Sequence, residues 1–209
     1  MNERLRYLAL GDSYTIGVGV AEHERWPVQV ATRLRAAGVE IAAPEIIAVT
    51  GWTTDELNAG IDAANPQGPY ALVSLLIGVN NQYRGRDLEG YRAEFRLLLQ
   101  RAVGFAGGDV RHVVVVSIPD WGVTPFAAED EHGRTRAQIG VEIERFNAVA
   151  REEAEAAGVA FVDITPVSRT AAEDAALTAG DGLHPSGAMY RCWTDRILPV
   201  VRAALGVRE

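Results

Sequence analysis

The chain has 209 residues, 48% hydrophobic and 23% charged, the balance of a globular domain long enough for one good core. A net charge of −8 argues against nucleic acid or an anionic membrane surface as the main partner, since both require clustered positive charge. All 20 cationic residues are arginine, which excludes a P-loop lysine, a lysine Schiff base and a Ser–Lys dyad.

Cys192 is the single cysteine, so no disulfide can form within the chain, and no Cys/His spacing points to zinc. No metal and no cofactor is expected. The first residues, MNERLRYLALGDS, lack the apolar length and cleavage pattern of a signal peptide, and no apolar run is long enough for a membrane span. These readings predict a cytoplasmic location.

The elements alternate along the chain. Residues 5–10 form a first apolar run, nearly continuous, as in a parallel strand covered on both faces. A helix is predicted over 26–37, with Pro27 in its first turn and Gly38 just past its end. A second strand covers 45–49, and Thr53 with Glu56 makes a capping-box pattern that opens the next helix. The third strand covers 71–77. After Asp87, a predicted N-cap, Leu88, Tyr91, Phe95, Leu98 and Ala102 share a helical face. The fourth strand is 112–118. Residues 119–135 are irregular, and so long a loop reads either as a lid or as a solvated excursion. Ile139, Ile143, Phe146 and Ala150 mark another helix, 160–164 a fifth strand, and Ser186 caps a last helix, with Pro199 expected to kink it. Five strand–helix alternations predict a three-layer α/β/α fold with a parallel sheet. No repeat or linker divides residues 1–209, which read as a single domain.

The chemistry narrows quickly because serine is scarce. Of five serines, Ser74 lies within a strand, Ser117 ends one, Ser168 lies in a loop and Ser186 reads as a cap. Ser13, in Gly11-Asp12-Ser13-Tyr14-Thr15, directly follows a buried strand. Ligands of open parallel sheets bind at the carboxyl ends of strands. A serine in such a turn also sets its own N–H near a helix N-terminus, which favours a developing oxyanion. Taken alone, this turn reads equally as a glycine-rich anion site. Asp181-Gly182-Leu183-His184-Pro185 then supplies an acid and a base three residues apart in one loop. The aspartate can hold one imidazole nitrogen and leave the other to accept the serine proton. Gly51, after the second strand, can present a bare backbone N–H, and Asn80, after the third, a side-chain amide; a tight turn and a cap are the plainer readings of these two.

Together these blocks resemble the SGNH, or GDSL-like, hydrolase family: GDSYT its serine block, Gly51 its glycine block, Gly78-Val79-Asn80 its asparagine block and DGLHP its Asp-x-x-His block. The resemblance implies a flavodoxin-like five-stranded sheet of order 2-1-3-4-5 and a catalytic triad of Ser13, Asp181 and His184. It also implies an oxyanion hole of Ser13 N–H, Gly51 N–H and Asn80. Substrates would be small-molecule carboxylic esters or thioesters, cleaved by an esterase, lipase or acylhydrolase through an acyl-enzyme. Two departures stand out: Tyr14 replaces the leucine of the name-giving motif, and Asn81 stands where the family often has aspartate. Tyr14, Trp52, Asn81, Tyr83, Trp121 and Phe126 follow strand ends and are expected to line the substrate pocket. Arg84 and Arg86 read either as contacts to an anionic leaving group or as solvated loop residues. An acyltransferase with the same triad and a non-catalytic flavodoxin-like anion- or ligand-binding module are the competing readings. Oligomeric state is not legible.

Overall fold

A computed structural model describes residues 4–130 and 132–207. Five parallel strands form one sheet, β1 (Tyr7–Gly11), β2 (Glu45–Ala48), β3 (Leu72–Leu76), β4 (Val113–Val116) and β5 (Ala160–Val162), in the expected order β2-β1-β3-β4-β5. The ladders are in register from Tyr7 opposite Leu72 to Gly11 opposite Leu76. Every residue of β1, β3 and β4 is buried, which is why their apolar runs are continuous. The strands are shorter than the apolar runs. Val49, past the end of β2, is exposed, and His112 belongs to a 3₁₀ turn before β4.

Eight α-helices accompany the strands among the described residues: α1 (Ser13–Ile16), α2 (Trp26–Ala36), α3 (Thr54–Ala64), α4 (Val79–Tyr83), α5 (Leu88–Phe105), α6 (Arg136–Ala156), α7 (Thr165–Ser168) and α8 (Gly187–Ala204). α2 packs against α8, while α3, α5 and α6 pack together, so the sheet lies between two helical layers. Trp26 and Trp193, both fully buried, fill the first layer, and Tyr91, Phe95 and Phe146 fill the second. Asp87 caps α5 by accepting from Gly90 N at 2.7 Å, and Ser186 caps α8 by accepting from Met189 N at 3.3 Å. α8 runs unbroken through Pro199. At α3, Glu56 reaches back to Thr53 N at 2.9 Å. The Thr53 hydroxyl turns to the Glu56 carboxylate instead of a helix N–H, and Asn81 Oδ1 takes Thr54 N at 3.1 Å.

The sheet order reverses between β1 and β3, where connections leave in opposite directions and a crevice opens beyond the strand ends. Ser13 and Asn80 flank that crevice, one after β1 and one after β3.

Candidate active site

Gly11 closes β1 under tight steric control. A Cβ there would collide with the Thr15 hydroxyl and come within 2.6 Å of the Leu76 carbonyl oxygen. Asp12 caps the short helix α1, its Oδ1 accepting from Tyr14 N at 3.0 Å. The turn sets Ser13 at the start of α1, and the Ser13 N–H has no acceptor among the described residues. Asp12 is fully buried, and burial pushes its carboxyl up to about 7 against the opposing pull of the Tyr14 N–H.

The second half of the site is a loop that folds back on itself. Asp181 Oδ1 accepts from the backbone of Leu183 at 3.0 Å and of His184 at 2.9 Å, and Asp181 Oδ2 pairs with His184 Nδ1 at 2.6 Å. Partial burial raises the Asp181 carboxyl, but these hydrogen bonds and the imidazole outweigh it and hold the group below the usual aspartate range. The pairing turns the other ring nitrogen, Nε2, away from Asp181. The His184 ring packs against Tyr14, with centroids 5.6 Å apart, and Tyr14 packs in turn on Trp193. Ser13 and His184 line one cavity of about 150 Å³, together with Tyr14, Asn80, Tyr83, Trp121 and Phe126. No hydrogen bond joins the Ser13 hydroxyl to His184 among the described residues.

Gly51 has φ +86°, a conformation that glycine adopts without strain, and its N–H has no acceptor among the described residues. Its carbonyl is held by Arg84 Nη2 at 2.6 Å, and the same guanidinium pairs with Glu56 at 3.2 Å. Asn80 Nδ2 donates to the Trp52 carbonyl at 2.9 Å, which pins the turn from a second side. One N–H of that amide is left over.

Two residues expected in the pocket are turned elsewhere. The Trp52 ring lies against Gly60 of α3, where any Cβ would collide with it. Asn81 is fully buried and spends its amide on Thr54, accepting from the backbone and donating to the hydroxyl at 2.6 Å. Arg84 and Arg86 are also not free in solvent. Arg84 orients Gly51, and Arg86 pairs with Asp55 at 2.6 Å. Sequence reasoning missed this role of Arg84, and only the acidic Asp55-Glu56 pair hinted at a partner for it.

The first part of the 119–135 segment is no solvated excursion. It makes two 3₁₀ turns, Trp121–Val123 and Pro125–Glu129, and forms one wall of the cavity. Trp121 Nε1 donates to Gln82 Oε1 at 2.8 Å, and Phe126 N donates to the Gly182 carbonyl at 2.9 Å, tying the wall to the Asp181–His184 loop. Of the other serines, Ser74 bonds the Tyr7 hydroxyl, Ser117 joins Asp163 and Thr165, and Ser168 accepts from Asp120 N. Each is engaged away from the cavity.

Residues 9–192 match the model of the GDSL-like lipase/acylhydrolase family. The chain belongs to that family. No curated protein matches it. Among solved structures, TesA superposes with a TM-score of 0.71 at 20% identity, over 96% of this chain and 99% of that one. The psychrotrophic esterase EstA from Pseudoalteromonas sp., inhibited by monoethylphosphonate, gives 0.72 at 16% identity, over 96% and 98%. Phospholipase A1 from Streptomyces albidoflavus NA297 gives 0.66 at 20%, over 97% and 100%. These likenesses establish a shared α/β fold, and the family establishes an ester hydrolase. Among the described residues, no helix is long and apolar enough to cross a membrane.

Proposed function

We propose that the protein hydrolyses small carboxylic esters or thioesters through a triad of Ser13, His184 and Asp181. The observation that carries this reading is the Asp181–His184 pair at 2.6 Å, on the wall of the cavity that also holds Ser13. His184 Nε2 takes the Ser13 proton as Oγ attacks the acyl carbon. The ionised Asp181 keeps the ring in place and stabilises the imidazolium. The tetrahedral oxyanion is received by Ser13 N–H, Gly51 N–H and the remaining N–H of Asn80. His184 then protonates the leaving alcohol or thiol, and water releases the acid by the reverse sequence.

The cavity of about 150 Å³, walled by Tyr83, Trp121 and Phe126, favours short acyl groups over long lipid chains. Fluorophosphonate labelling with mass-spectrometric mapping tests the nucleophile: modification at Ser13, lost in Ser13→Ala, is expected. Labelling elsewhere, or Ser13→Ala turning over p-nitrophenyl acetate at the wild-type rate, would overturn it. A series of p-nitrophenyl esters of rising chain length tests the pocket, with kcat/KM expected to drop early in the series.

A further inference from the structure

Tyr83 has two sides. One faces the catalytic cavity, and the other lines a larger concavity of about 410 Å³. Four arginines reach this second space, Arg84, Arg86, Arg134 and Arg145, against two carboxylates, Asp87 and Glu142. Most of this charge is balanced by carboxylates around the rim, and one guanidinium is not. Three of the guanidiniums are already held. Arg84 pairs with Glu56, Arg86 with Asp55 and Arg134 with Asp130 and Glu142. Arg134 also lies over both the Tyr83 and Trp121 rings, 5.3 Å from each centroid, so a guanidinium balanced by Asp130 and Glu142 backs the partition between the two spaces. Arg145 differs from the other three. It projects from α6, is exposed, and has no hydrogen-bond or ion-pair partner among the described residues. An uncompensated guanidinium offers a planar fork of N–H donors that matches a carboxylate or phosphate.

We propose that this concavity is the subsite for an oxyanion, carboxylate or phosphate, carried by the ester substrate at its end remote from the scissile bond, with Arg145 as the cation that receives it. The inference rests on Ser13 being the nucleophile in the adjoining cavity. It makes the substrate an anionic ester. The anion belongs either to the acyl portion or to the alcohol portion, and the two are separable by experiment.

The test compares matched esters on wild type, Arg145→Glu and Arg145→Lys. For the acyl arm, p-nitrophenyl hemiglutarate is set against p-nitrophenyl valerate. For the alcohol arm, acetylglycerol phosphate is set against monoacetylglycerol, with acetate release as the readout. In one pair, Arg145→Glu is expected to lower kcat/KM for the anionic member by about five- to tenfold, as for loss and reversal of an exposed ion pair. The change should lie in KM, the neutral member should be unaffected, and Arg145→Lys should retain most of the preference. Equal effects on both members, or no effect in either pair, would overturn the subsite. If wild type cleaves none of the four esters, the Ser13 reading fails instead. Calorimetric titration of Ser13→Ala with glycerol 3-phosphate and with glutarate then still decides the subsite: binding weakened by Arg145→Glu supports it, and no binding or unchanged binding refutes it.

Discussion

Gly11, Gly51 and Gly78 are required for three different physical reasons. At Gly11 there is no room, because Thr15 and the Leu76 carbonyl occupy the space of a side chain. At Gly51 there is room, with the nearest side-chain atom 3.7 Å from an added Cβ, but φ is +86°. At Gly78 both hold: φ is +134° and an added Cβ would meet the Tyr91 hydroxyl at 2.7 Å. The turns at Gly11 and Gly78 carry Ser13 and Asn80 to the same cavity. The amide of Asn80 is the most informative of those groups, because it has two N–H bonds and the Trp52 carbonyl uses one. Asn80→Ala is expected to lower kcat by roughly 10²–10³, the usual cost of a lost oxyanion donor, with a much smaller change in KM. Steady-state kinetics on p-nitrophenyl acetate would measure it, and a variant with undiminished kcat would remove Asn80 from the oxyanion hole.

Secondary-structure elements were the most legible part of the molecule. The five apolar runs and the caps at Asp87 and Ser186 are local signals, and the chain obeys them. Side-chain direction was not legible, since it depends on what packs opposite. Asn81 illustrates the point. From its place beside Asn80 it reads as a pocket residue, yet the first turn of α4 points it at Thr54, where it closes the start of α3. Asn81→Ala is therefore expected to destabilise the fold by about 1–3 kcal/mol, the cost of leaving buried polar partners unsatisfied. Urea unfolding would show the loss, while kcat of the remaining folded enzyme stays close to wild type. The Gly51 turn was likewise half legible: its glycine is visible in sequence, but its clamp by Arg84, 33 residues away, is a product of the fold. The wall formed by Trp121 and Phe126 was readable as a long loop and not as structure, because both residues are fixed by distant partners.

For the whole molecule, buried and paired carboxyls set opposing pH trends. Asp181, Glu153 and Asp130 are held below their ordinary values, Asp130 at about 2 by its ion pair and hydrogen bonds with Arg134, which outweigh burial. They contribute stability that is full above the unfolded carboxylate range and is lost as pH falls through their folded values. Asp12 works in the other direction. Its carboxyl is raised to about 7, so its contribution is full below about 4 and is lost as pH rises through 7. Stability is expected to be greatest in mildly acidic solution and to decline toward pH 8. Asp12→Asn, which keeps an acceptor for Tyr14 N without the charge, is expected to flatten that alkaline decline. Urea midpoints measured from pH 4 to 8 for both proteins would check it, and parallel curves would exclude Asp12 as the cause.

The residues proposed for catalysis sit at opposite ends of the chain, Ser13 after the first strand and Asp181 with His184 just before the last helix. The ends meet because α8 docks on α2, where Gln29 donates to the Gly187 carbonyl at 3.1 Å and Arg33 pairs with Asp195. A ribosome therefore releases the seryl hydroxyl long before the imidazole that would activate it. The sheet can begin to pair while a nascent chain still has no general base. Such a chain would become an esterase only when α8 emerged and docked on α2, so that reactivity arrives together with that packing.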